Sequence, residues 1–247
     1  MAACAATALF IPHFVDYVKT NVIPLPAGTS LNGSLPPGEP VDRTLESLDD
    51  HLLFNKLAQA DRQWQPQEEL LPDGSIRYLY KRRSGEPDLT VSELRALIES
   101  PRSYHNEQAA IDELLDTLRQ AGVRVLLTPT LKRGAAAEWD HSQGVMRIQP
   151  DVMGKGSVDF LRVLSHEAVH VAQSCRAGSL RARPSALGVP VRTNTSLLKT
   201  LDDPIYADTS TWEKGLELEA YGLQNEMGVA KTLVTNECLA GQTALLR

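Results

Sequence analysis

Apolar positions recur along this chain with two periods, and the alternation between them predicts the elements. Leu45, Leu48, Leu52, Leu53 and Leu57 fall three and four residues apart, which places a helix within 41–60 and marks its leucine stripe as core. Asp73-Gly74 signals a turn, and the alternation of Ile76, Tyr78 and Tyr80 after it predicts a short strand. Thr90-Val91-Ser92-Glu93 has the capping-box form, so a helix should run from there to Glu99 and stop before Pro101. A second helix over 103–120 carries Ile111, Leu114, Leu115 and Leu118 on one side and ends at Ala121-Gly122. The apolar run 123–127 predicts a strand. A turn at 141–144 between Trp139 and the alternating Val145-Met146-Arg147-Ile148-Gln149 predicts a hairpin closed by Pro150.

Ser157 is positioned to cap a helix over 157–174 whose apolar face holds Phe160, Leu161, Leu164, Ala168 and Val171. Residues 175–210 show no long period and read as loop. From Thr211 a last helical stretch puts Leu216, Ala220, Leu223 and Met227 on one face, with an interruption at Gly228 before 229–239. The pattern is that of an α+β protein with three parts. Residues 1–40 form an amino-terminal arm and a linker rich in Pro, Gly and Ser, 41–122 a mainly helical portion, and 123–247 a portion mixing a small sheet with two long helices.

Charge and composition narrow the chemistry. Thirty-one acidic against twenty-five basic residues give a net charge of −6, which argues against nucleic acid as a partner, because phosphate binding needs clustered Lys and Arg in excess. The basic cluster Lys81-Arg82-Arg83 is short and reads as a solvated strand end. The apolar start, Met1 to Phe14, lacks a basic flank and is too short to span a bilayer, so no stable membrane span is expected. Cys4, Cys175 and Cys238 make no even framework, which predicts reduced thiols, with Cys175 a buried structural thiol, and a cytoplasmic location; a secreted form is compatible with the chemistry below.

That chemistry lies in His166-Glu167-Ala168-Val169-His170. On a helix, histidines four residues apart lie about 40° apart around the axis and about 6 Å along it, so both rings can reach one metal ion. Zn2+ suits two imidazoles and tolerates a tetrahedral site with one position left to water. Glu167 then faces the open side of the ion, where it can take a proton from the bound water and pass it to a leaving amine.

With this motif on a helix that follows a strand, 123–227 resembles the zincin metallopeptidases, and the resemblance implies a zincin-like fold, hydrolysis of peptide or protein substrates, and a third metal ligand. No histidine follows His170. Glu217-Leu218-Glu219-Ala220-Tyr221 is similar to the Glu-x-x-Ala helix of the gluzincin branch, which implies Glu217 as third ligand and Ala220 as the small residue where two helices meet; Glu219 is the competing ligand. Tyr221 stands where the family has Asp or Asn, leaving open what orients a metal-bound histidine. The resemblance further implies an edge strand that takes up substrate, here 145–149, and an oxyanion donor, for which Tyr206 is placed by its order along the chain and Arg192 is a poorer candidate. Cys4 as an inhibitory ligand is not expected. Two other classes stay in view: a non-catalytic zinc-stabilised binding module built on the same residues, and a helical interaction protein without metal.

Overall fold

A computed structural model describes residues 7–9, 43–44, 50–83, 86–132, 134–191, 201–202, 206 and 209–240. The arm and linker over 10–40, together with Leu45, Leu48, Cys4 and Arg192, lie outside the described residues.

The fold is α+β, arranged around one helix. Two short strands, β1 (Thr7–Leu9) and β2 (Arg43–Thr44), precede helix α1 (Asp50–Asp61), and a hairpin of β3 (Gln67–Leu70) and β4 (Ile76–Leu79) follows it. Helix α2 (Val91–Glu99) carries the expected capping box, Thr90 accepting from the Glu93 amide and Glu93 reaching back to the Thr90 amide. Helix α3 (His105–Gln120) leads through Gly122, at φ +84°, into β5 (Arg124–Leu127). Then come the hairpin β6 (Ala137–Asp140) and β7 (Val145–Ile148), the long helix α4 (Ser157–Arg176), α5 (Thr211–Leu223) and α6 (Val229–Val234).

The main sheet is small and mixed, in the order β1-β6-β7-β5-β2. β7 runs parallel to β5 and antiparallel to β6. This corrects the expectation that 145–149 forms the edge: with both neighbours hydrogen-bonded, β7 has no free ladder for an added peptide. Strand order is not written in the local alternation, which is identical for edge and interior strands. β1 lies outside β6, Thr7 opposite Trp139 and Leu9 opposite Ala137.

Sixteen of the twenty residues of α4 are buried, so it is a central helix wrapped on all sides rather than one with a single apolar stripe. The sheet covers one side, α3 a second, and α5 and α6 the rest. Leu53 and Leu57 of α1, Ile111 and Leu115 of α3, and Phe160, Val163 and Leu164 of α4 belong to one continuous core, so the helical portion before residue 123 packs directly on α4.

Polar residues buried on such a helix need partners. The Trp139 indole donates to Ser174 Oγ at 2.9 Å, and the Arg83 guanidinium donates to the fully buried Asp159 at 3.0 Å while stacking on Trp64. Arg83 is thus an interior residue, not a solvated strand end. Ser157 is not the cap of α4. Gly156 occupies that position at φ +91°, and Asp61 from the end of α1 receives the Ser157 amide at 2.7 Å and its hydroxyl at 2.6 Å. A side chain at Gly156 would place its Cβ 2.5 Å from the Asp61 carboxylate, so both the conformation and the close approach require glycine. At the far end, α5 stops at Leu223, leaving Met227 beyond the helix and exposed.

Cys175, at the end of α4, forms a disulfide with Cys238, which corrects the expectation of reduced thiols. The pair is 63 residues apart in sequence but 5.1 Å apart at Cα, a proximity created by the return of the chain onto α4 that no local spacing encodes. Among the described residues, no helix is long and apolar enough to cross a membrane.

Closure of a loop of this length restricts the unfolded chain by about 4 kcal/mol at room temperature. Replacing Cys238 by Ser should therefore lower unfolding free energy by about that amount in chemical denaturation, and dithiothreitol should reproduce the loss in the unmodified protein.

Candidate metal centre

The motif helix and α5 bring three potential ligands to one point. His166 and His170, one turn apart on α4, are fully buried, and Glu217 approaches from α5. The two Nε2 atoms are 3.1 Å apart, and Glu217 Oε2 lies 3.2 Å from that of His166 and 3.6 Å from that of His170.

The partners on the other ring nitrogens fix what those atoms are. The Gln173 side-chain amide donates its two protons to the Leu216 carbonyl at 3.1 Å and Glu219 Oε2 at 2.9 Å. Its oxygen must then face His170 Nδ1, 2.8 Å away, which makes Nδ1 the donor and leaves a lone pair on Nε2 in the neutral ring. Gln224 Oε1 stands 3.1 Å from His166 Nδ1 and serves that ring in the same way. Two imidazole lone pairs and a carboxylate oxygen therefore converge within 3.6 Å. Three acceptors so placed repel one another unless a cation lies among them. Around a small tetrahedral ion with bonds of about 2.0 to 2.1 Å, ligand atoms sit about 3.3 to 3.4 Å apart, so the observed edges fit. The buried group His166, His170 and Glu217 can hold a metal ion.

The choice between Glu217 and Glu219 is resolved by what each carboxylate touches. Glu219 accepts from the amides of Leu187 and Gly188 at 2.9 and 2.8 Å and from Gln173, so it anchors the loop after α4 and supports His170 from behind. Glu217 alone faces the histidines. Ala220 is fully buried, and Gly222 lets the chain at Val191 lie against α5, where an added Cβ would fall 2.7 Å from the Val191 Cβ.

Tyr221 does not orient a histidine by hydrogen bonding. Its ring packs edge-on against His166 at 4.6 Å between centroids, and its hydroxyl is 2.9 Å from that of Tyr206. The orienting task falls to Gln224 and Gln173. Both were absent from the residues singled out by sequence, although Gln173 stands three positions after His170 and Gln224 seven after Glu217, spacings that keep each on its ligand's side of the helix.

Tyr206 is brought into the site, fully buried, with its hydroxyl donating to Glu217 Oε2 across 3.5 Å. The Tyr206 and Tyr221 hydroxyls share one hydrogen bond in which either oxygen can donate. Glu167 is fully buried and close enough for its charge to act on both His170 and Tyr206. Burial, reinforced by the charges of Glu217 and Glu167, pushes the Tyr206 phenol well above its ordinary range, so it stays protonated and able to donate.

The remaining ionisations follow the same geometry. Burial would raise Glu217, but His170 and His166 beside it outweigh that and hold its carboxyl at about 2. Burial lowers His166, whereas for His170 the pull of burial is overcome by Glu217 and Glu167 and the ring is raised.

Compared with known proteins, the chain matches no family model, no curated protein and no solved structure.

The arrangement separates ligand from support by experiment. Glu217→Ala should abolish stoichiometric metal binding in elemental analysis. Gln173→Ala should weaken affinity by about 10- to 100-fold in chelator competition without abolishing it.

Proposed function

We propose that this chain is a zinc-dependent metallopeptidase with a zincin-like domain of the gluzincin type. The observation that carries the reading is the pairing of a His166–His170–Glu217 acceptor set with a second buried carboxylate, Glu167, that is not among the ligands. Two imidazoles, one carboxylate and an open position form a donor set that catalytic zinc sites use.

Zinc held by His166, His170 and Glu217 would supply Lewis acidity toward a scissile carbonyl and an attacking water. Glu167 takes the proton of that water and delivers it to the leaving amine. Tyr206, kept protonated by its surroundings, moves its donor from the loose contact with Glu217 to the carbonyl oxygen as negative charge develops there. Gln173 and Gln224 hold the imidazoles in the tautomer that presents Nε2.

A second reading, a non-catalytic zinc-stabilised binding module, is favoured by one observation: His166, Glu167 and His170 are fully buried and Glu217 nearly so. Against it stands the cost of desolvating a carboxylate that contributes no metal bond, which a purely structural site has no reason to bear. The disulfide between Cys175 and Cys238 supports an oxidising compartment over the cytoplasm.

Glu167→Gln distinguishes the two readings. Under the peptidase reading the variant keeps about one zinc per chain and loses roughly 100- to 10,000-fold in kcat on peptide substrates, and Tyr206→Phe lowers kcat by about 100-fold. Hydrolysis at the unmodified rate by Glu167→Gln sinks the mechanism.

A further inference from the structure

The loop leading into β6 carries a cation at the margin of the metal centre. Glu138 is fully buried in the sheet, yet both its oxygens serve that loop: Oε1 accepts from the Leu131 amide at 2.8 Å and Oε2 from the Lys132 amide at 3.0 Å, with the Arg147 guanidinium 3.3 Å from Oε1. A buried carboxylate bonded to successive amides fixes where the Lys132 side chain starts.

The Lys132 ammonium lies 5.1 Å from the centroid of the Tyr206 ring. Lys132 is half-buried and Tyr206 fully buried, so the lysine is the outer layer over the tyrosine whose hydroxyl reaches the metal ligand Glu217.

A cation over an aromatic face is held in position but keeps its three N–H donors for a further acceptor. Among the described residues no carboxylate pairs with Lys132, as none pairs with Lys81, whose ammonium donates to the Gln63 side chain, whereas Lys155 and Lys231 pair with Asp151 and Glu113. In a chain with six more acidic than basic residues, a lysine with no carboxylate partner among the described residues, set over the Tyr206 ring, is available to a ligand that brings one.

We propose that Lys132 is a specificity residue that binds a carboxylate of the peptide substrate, an inference that rests on the zinc-peptidase reading. Peptides offer that group from two sources, a free C-terminus or an acidic side chain near the scissile bond. Lys132 selects for the charge, and Tyr206 beneath it acts on the carbonyl, so binding and chemistry meet on one tyrosine ring.

The test uses the full zinc-loaded chain and matched peptides of one core sequence: a free C-terminal carboxylate against its amide, and Glu against Gln beside the cleaved bond. The unmodified protein should favour the charged member of one pair by at least tenfold in kcat/KM, and which pair responds identifies the source. Lys132→Met should bring that ratio to within twofold, Lys132→Arg should retain it, and Lys132→Glu should invert it. A ratio near one in the unmodified protein, or a tenfold ratio that survives in Lys132→Met, overturns the inference while leaving the peptidase reading intact. Hydrolysis of no peptide by the unmodified protein overturns both.

Discussion

Everything at the centre of this molecule depends on three acceptor atoms being forced together. The Nε2 atoms of His166 and His170 and Glu217 Oε2 sit between 3.1 and 3.6 Å apart in a site closed to solvent. Without positive charge among them the arrangement is repulsive, and it is desolvated as well. The surrounding structure is what prevents escape. The Gln173 amide, committed on its nitrogen side to Leu216 and Glu219, removes the rotational freedom by which His170 could turn its protonated nitrogen inward. A fold that presents lone pairs in this way can hold a metal ion.

The scaffold explains how such a centre is kept. α4 is buried almost throughout, and its ends are secured by residues distant in sequence. Asp61 closes the amino end, Arg83 pairs with Asp159 one turn in, and the disulfide from Cys175 ties down the carboxyl end. Glu219 extends this to the loop at Leu187 and Gly188, so the second helix is positioned by contacts that also support a ligand. Rigidity of this kind keeps the ligands in place without leaving their geometry to a flexible loop. Tyr206 is the exception. Its hydroxyl touches Glu217 only across 3.5 Å, longer than a strong O–H···O bond.

What the sequence could reveal divides along a physical line. Features written in short stretches of sequence were legible: the spacing of His166 and His170, Glu167 between them, the capping box at Thr90, and the hairpin before Pro150. The third ligand was legible only as a pair of glutamates, because helix rotation decides between them. That rotation is set by the Leu187 and Gly188 amides, which need an acceptor and take Glu219. Features made by chain return were not legible. Strand β7 alternates like an edge strand but lies inside because β5 pairs with it in parallel from earlier in the chain. Cys238 meets Cys175 only once the carboxyl-terminal helices fold back, and Ser157 yields its capping role to Asp61, 96 residues earlier.

The most direct test of the central claim is anomalous diffraction at the zinc edge from crystals of the zinc-loaded protein. One site is expected at about 2.0 to 2.1 Å from Nε2 of His166, Nε2 of His170 and a Glu217 oxygen, with both Nδ1 atoms still facing Gln224 and Gln173. A peak coordinated by Glu219 or by an Nδ1 atom, or no peak among these residues at full zinc occupancy, would contradict it.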